Sequence, residues 1–189
     1  MMYSNHLTPN KARILEAILL LIQRAQKEGF DVTQYDLVKS LFIADTSHLK
    51  VYGRPITYDN YSAMEHGPVP RFAYDMLKPG FEGAKFFGEW PLWGSEKAYR
   101  TVRHYKNPVR EPNLRRLSVS DVTCLEEAQD IVRTLGFGGT RDFTHKHPAY
   151  MAAWRKDDNK RSFPMDYKLL IEDQDEELMA EIVMASKRH

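Results

Sequence analysis

Two stretches of helical periodicity are separated by a segment in which Gly53, Pro55, Gly67, Pro68 and Pro70 forbid a continuous helix. That interruption constrains the fold more than any other feature, because the chain must pass from helix to extended backbone and back within one short stretch. Before it, Thr8, Pro9 and Asn10 read as a helix entrance, and Ile14, Leu15, Ile18, Leu21, Ile22 and Ala25 recur at helical spacing as far as Gly29. Thr33 with Asp36 approximates a capping box for a second helix, carried by Leu37, Val38, Leu41, Phe42, Ala44 and Asp45 to about Val51 and stopped by Gly53. Ile56, Thr57, Tyr58 and Tyr61 then suit an extended arm that continues to Met64. Gly67, Pro68 and Pro70 predict a sharp break, with Pro70 in the first turn of a helix containing Phe72, Tyr74, Met76 and Leu77 and ended by Pro79-Gly80.

Residues 79–95 are rich in Gly and aromatics without a clear period, so an irregular excursion with room for a strand is expected there. The alternation of Tyr99, Thr101, Arg103 and Tyr105 predicts a strand over 99–105, paired with the arm in a small sheet. Ser118 followed by Asp121, or Ser120 as the cap, opens a helix through Val122, Leu125, Ala128, Ile131, Val132 and Leu135 that Gly136 closes. Two brief helices follow, over 140–146 and 148–155, and Phe163-Pro164 begins an extended turn. A last helix runs from about Asp173 to 188, acidic at its start and basic at Lys187 and Arg188, as the helix dipole favours. The expected fold is α+β and mostly α-helical, a single domain of about six or seven helices with a small β-sheet or hairpin. Its core lies at about 11–170, followed by the C-terminal helix.

Of 189 residues, 42% are hydrophobic and 12% aromatic, enough for a core. Lys and Arg total 27 against 26 Asp and Glu, so no global field draws the chain to nucleic acid or an anionic membrane. The longest apolar run, Ala17 to Ile22, is far short of a bilayer span, and no basic start with an apolar stretch marks export. The single cysteine, Cys124, allows no internal disulfide and fits a reducing compartment, so a cytoplasmic location is expected.

Several groupings invite chemistry. Asp45 and His48, three apart on the second helix, face the same way as an acid/base or metal pair would. A ligand set needs three or four groups, and a structural hydrogen bond fixing how Gly53-Arg54 leaves the helix is the better reading. His66-Gly67-Pro68-Val69-Pro70, with Arg71, could cradle an anion at the next helix start, but two prolines remove two amide donors and favour a rigid turn. His145 and His147 have no carboxylate or thiol cluster nearby, and Cys124 has no partner motif, so neither catalysis nor a metal is expected. The basic stretch Arg100, Arg103, His104, Lys106, Arg110, Arg115 and Arg116, interleaved with Tyr99 and Tyr105, reads as a grip for single-stranded nucleic acid, a solvated strand face or an edge for an acidic protein. Phe81, Phe86, Phe87, Trp90 and Trp93 either cap the core or form a patch that a partner covers.

The segment Asp45, His48, Tyr52-Gly53-Arg54-Pro55-Ile56-Thr57, Tyr61, Ala63-Met64 and Gly67-Pro68-Val69-Pro70 closely resembles the signature of the Panacea (SocA-like antitoxin) family. The likeness continues through Leu37 to Ala44, Tyr99 to Val102, the helix at 118–135, and Thr144-His145 to Pro148-Ala149-Tyr150, or roughly from the first helix to Leu170. One departure is Tyr58, where a Gly often follows the Thr in the family, so a different local turn is expected. The resemblance implies an antitoxin that binds and neutralises a cognate toxin protein, needs no cofactor and has no enzyme active site. On that reading Tyr52, Arg54, Tyr61, His66 and Arg71 are candidate toxin contacts. Asp45, His48, Gly53, Gly67, Pro68 and Pro70 shape the backbone. The alternatives are a proteolytic adaptor that hands a bound toxin to a protease, a role associated with one branch of the family, a nucleic-acid-binding regulator, and a hydrolase or metalloenzyme using Asp45 and His48.

Overall fold

A computed structural model describes residues 6–155, 157 and 159–188. Helix α1 (Lys11–Glu28) starts where Asn10 accepts a hydrogen bond from the Arg13 amide and ends at Gly29, whose φ of 74° is the left-handed value glycine takes freely. Every residue from Ile14 to Ile22 is buried, so α1 is the central rod of the core and not a surface helix with one apolar stripe. Its buried Glu16 is held by both guanidinium nitrogens of Arg110, at 2.8 and 2.9 Å, and by the Asn113 amide at 2.7 Å.

Helix α2 (Gln34–Tyr52) carries the expected capping box at Thr33 and Asp36 and stops at Gly53, φ 68°. The arm that leaves it forms strand β1 (Tyr61–Met64). A two-residue turn, Glu65-His66, leads into β2 (Gly67–Pro70) with Tyr61 opposite Pro70 and Met64 opposite Gly67. The expected sharp break at Gly67 to Pro70 is therefore a strand. Pro68 and Pro70 are tolerated because β2 is an edge strand, in the order β2-β1-β5, with only one neighbour to bond.

The sheet partner also differs from expectation. β1 pairs on its other side with β5 (Ser162–Pro164), whereas the arm was expected to meet residues 99–105. That region is a separate hairpin, β3 (Gly94–Tyr99) and β4 (Val102–Lys106), turning at Arg100 with φ 48°. The periodicity across 99–105 concealed a reversal because the turn uses no glycine.

Short helices α3 (Arg71–Met76) and α4 (Ala84–Phe87) lie between β2 and β3, and Val119–His145 forms the long helix α5. Gly136, at φ 62°, ψ −173°, ends the first helical segment of α5 as expected, and a second segment runs on from that kink to His145, taking in most of the brief helix expected at 140–146. α6 (Pro148–Ala153) opens with Pro148 behind the His147 cap, and α7 (Glu176–Ser186) opens at Asp175, just after the expected start. Among the described residues these make seven α-helices and two small antiparallel sheets, the expected α+β, mostly helical domain. α2 packs chiefly on α5, and the β1–β2 hairpin lies against both. Among the described residues no helix is long and apolar enough to cross a membrane.

Candidate functional site

The segment from Asp45 to Arg71 is organised by three buried carboxylates. Asp45, fully enclosed on α2, accepts the Ile56 amide at 2.8 Å and the Thr57 amide at 3.0 Å through Oδ1. Its Oδ2 takes the hydroxyls of Thr57 and Tyr61, the latter at 2.6 Å. Burial pushes its pKa up and these donors pull it back, so one side chain fastens the whole arm to the helix it has just left.

One turn on, His48 Nδ1 lies 2.8 Å from the Arg54 carbonyl oxygen. A carbonyl only accepts, so Nδ1 carries the proton. Nε2 faces Ser120 Oγ at 3.0 Å and Asp121 Oδ1 at 3.1 Å. Burial lowers the His48 pKa, which keeps the ring neutral and makes Nε2 an acceptor for the Ser120 hydroxyl. The pair is thus the structural hydrogen-bond device expected from the sequence: the two side chains bind different parts of the arm and share no proton. Ser120 and His48 touch as a nucleophile and base would, but His48 is enclosed on all sides.

Asp121, at the third position of α5, closes the capping box on Ser118 and is fully buried. Arg13 from α1 pairs with its Oδ2, and Arg54 Nη2 lies 3.0 Å from its Oδ1. Two guanidinium groups thus compensate one enclosed carboxylate, which is what makes its burial tolerable. The third carboxylate, Asp59, accepts the amides of Asn60, Phe72 and Ala73 at 2.8, 3.0 and 2.9 Å. It satisfies the first turn of α3, so the helix start that could have cradled an external anion is filled by the chain's own carboxylate. Burial raises Asp59 to about 7.

The expected toxin contacts are not gathered in one place. Tyr52 is 54% exposed with its ring tilted against His48 at 4.5 Å, and Arg54 is half-buried. His66 projects from the β1–β2 turn and Arg71 is exposed at the start of α3. Tyr61 is corrected: it is 2% exposed and its hydroxyl is taken by Asp45, so it belongs to the frame and presents nothing to a partner. Gly53 turns the chain off α2. Gly67, at φ 102°, is required twice over, since a Cβ there would lie 2.7 Å from Thr144 Oγ1 and 2.9 Å from Lys39 Nζ. Pro68 offers its carbonyl to Lys39 Nζ at 2.7 Å, and Pro70 precedes α3. Tyr58 keeps a left-handed backbone, φ 56°, so the turn retains the conformation a glycine would take despite the bulky residue.

The remaining groupings resolve individually. His145 stacks on Tyr150 and His147 accepts the Ala149 amide, so the two do not converge. Among the described residues no group of three or more His, Cys, Asp or Glu is placed to hold a metal ion. Cys124 is buried, which raises its pKa and suppresses the thiolate. Phe81, Phe87 and Trp90 pack on the core and Trp93 is buried within it, while Phe86 stays partly exposed under Lys11. The basic stretch is dispersed: Arg110 holds the buried Glu16, Lys106 pairs with Glu96, and His104 faces Asp31.

Sequence reasoning missed Lys39, Asp59 and the second role of Asp121. Lys39 carried a signal: it stands three and four residues before the apolar Phe42 and Ile43 and so shares their face of the helix. These features define a mostly helical α+β domain built around a buried carboxylate and imidazole frame. Residues 37–151 match the model of the antitoxin SocA-like, Panacea domain family, and the chain belongs to that family. The match runs from α2 to α6, narrower than the likeness expected from α1 to Leu170, and it contains all three carboxylates of the frame. No curated protein and no solved structure matches the chain significantly.

Proposed function

We propose that this protein is the antitoxin of a toxin–antitoxin pair and that it neutralises a cognate toxin protein by direct contact, with no catalytic step of its own. The observation that carries the reading is the family match over residues 37–151. The internal chemistry agrees with it. Asp45, His48, Asp59 and Asp121, the residues best suited to acid/base work, are all enclosed and engaged in fixing backbone. Holding an arm and hairpin rigid lowers the entropy cost of docking, which is the use such a frame has in a binding protein.

Tyr52 and Arg54 lie at one end of α2, and His66 lies beside Lys39 nearer the other, about 20 Å away at ~1.5 Å per helical residue. A contact of ordinary size, about 800 Å² on each partner, reaches along that distance. Co-expression with the product of the neighbouring gene tests the function. That product alone should arrest growth, and this protein should restore it and co-purify with it. A harmless neighbour that never co-purifies would defeat the reading.

A further inference from the structure

The two sheets treat their outer edges differently. The sheet β2-β1-β5 carries proline on both outer strands, Pro68 and Pro70 on β2 and Pro164 on β5, and proline has no N–H to offer a further strand. The β3–β4 hairpin closes only one of its edges. β4 is covered by the segment that leads into α2, where the Tyr105 amide donates to the Val32 carbonyl at 2.9 Å and Thr33 bridges to His104. β3 has β4 as its single neighbour, contains no proline, and is exposed at every position from Ser95 to Tyr99. Among the described residues no other backbone group bonds to it. Its regular ladder runs from Gly94 to Lys97, before the register slips ahead of Tyr99. A free, exposed edge is a template for an added strand.

A second, independent observation is the charge on this hairpin. Glu96, its one acid, is taken by Lys106 at 2.7 Å, and His104 faces Asp31 at 3.6 Å. Asp75, on the helix whose end receives the Tyr105 hydroxyl, is held by Lys78 at 2.6 Å. Lys97, Arg100 and Arg103 have no ion pair among the described residues: Arg103 reaches only Ser95 Oγ at 3.4 Å, and Arg100 lies over the Tyr99 ring. Lys97 stands directly opposite Arg103 in the ladder. Like charges facing each other across strands are unfavourable, and no carboxylate of the described residues offsets this pair.

Resting on the antitoxin reading, we infer that an extended acidic segment of the toxin adds to β3 as a third strand, its backbone bonding the free edge and a carboxylate lying opposite Lys97. Side chains directly opposite on adjacent strands stand about 5 Å apart at Cβ, within reach of an ammonium–carboxylate pair. The uncompensated cations select an acidic strand and repel a second copy of the same hairpin, which brings the same excess of positive charge. Single-stranded nucleic acid fits less well, because Tyr105 is buried and Tyr99 alone of the two tyrosines is exposed for stacking.

The test uses the full-length chain with the product of the neighbouring gene as probe, and reads affinity, thermal melting and backbone amide exchange for wild type and Lys97→Glu. In the wild-type complex, outer-edge amides within residues 94–97 should exchange about tenfold or more slowly than in the free chain. Lys97→Glu places an acid opposite Arg103, so it should melt at or above the wild-type temperature yet bind about tenfold or more weakly. Changing an acidic residue of the probe to lysine should restore its affinity. Wild-type binding with unchanged exchange at 94–97, or equal binding by Lys97→Glu, overturns the inference and leaves the antitoxin reading standing. A single-stranded oligonucleotide that binds wild type and protects 94–97 gives the hairpin to nucleic acid and overturns it as well. If wild type binds no product of the neighbouring gene, the antitoxin reading falls and takes the inference with it.

Discussion

The two ends of α2 handle buried charge in opposite ways. At the Tyr52 end, Asp45 has four donors and Asp121 has two arginines, so each enclosed carboxylate is compensated by groups the chain supplies. At the Tyr35 end, Lys39 has one carbonyl and, among the described residues, no paired carboxylate, while unbonded buried atoms occur at both ends, Arg13 Nε and Asp121 Oδ1 at the first and His145 Nε2 at the second. A buried polar group is tolerated when it is fully bonded and costly when it is not. The difference is one of counter-charge: the carboxylates of the Tyr52 end are met by several donors or by arginines, whereas the Lys39 ammonium is met by a single carbonyl.

The largest effect should come from the compensated end. Asp45→Ala leaves two amides and two hydroxyls without their acceptor, and a loss of about 3–5 kcal/mol is expected in urea unfolding. Survival of the variant with near wild-type stability would show that the arm is held by packing instead.

Lys39→Met sharpens the other side. A lysine whose pKa falls from 10.5 to about 7 on folding binds its proton more tightly in the unfolded chain, so wild type is penalised in full below about pH 7 and by less and less between pH 7 and 10.5. The penalty lifts as pH rises through that window. The Met variant should therefore gain on wild type by about 4 kcal/mol near pH 7, less roughly 1–3 kcal/mol for the bare Pro68 carbonyl, and lose most of that advantage by pH 10. Parallel pH profiles for the two proteins would mean that Lys39 is already compensated.

The smallest effect should be Tyr61→Phe, which removes one donor from Asp45 for about 1–2 kcal/mol. Because Tyr61 is enclosed, toxin affinity measured on the folded variant should not change. A binding defect at full stability would return Tyr61 to the contact surface.

Much of this was legible wherever the determinant is local. Gly53, Thr33 with Asp36, and Ser118 with Asp121 mark helix ends through bonds spanning only a few residues, and all three stand as expected. Asp45 and His48 were legible as a structural pair because their spacing places them on one face. The pairing of β1 with β5 was not, since Ala63 meets Phe163 across a separation that no local pattern encodes. The turn at Arg100 was hidden because a non-glycine residue adopts the left-handed conformation. Asp59 and Lys39 were passed over because a lone charge in sequence looks solvated. Only the packing of α3 and the hairpin turns them inward. The contact of His66 with Phe137 was not legible, because Phe137 reaches the hairpin turn only where α5 resumes beyond Gly136.

Direct neutralisation is tested most plainly by titrating purified toxin, the product of the neighbouring gene, with this protein in a purified system that contains no protease. Toxin activity is expected to fall in proportion to added protein and to vanish at a fixed stoichiometric ratio. A toxin that stays fully active at saturating protein, yet is disarmed in cells, would contradict direct neutralisation and point to delivery of the toxin for degradation.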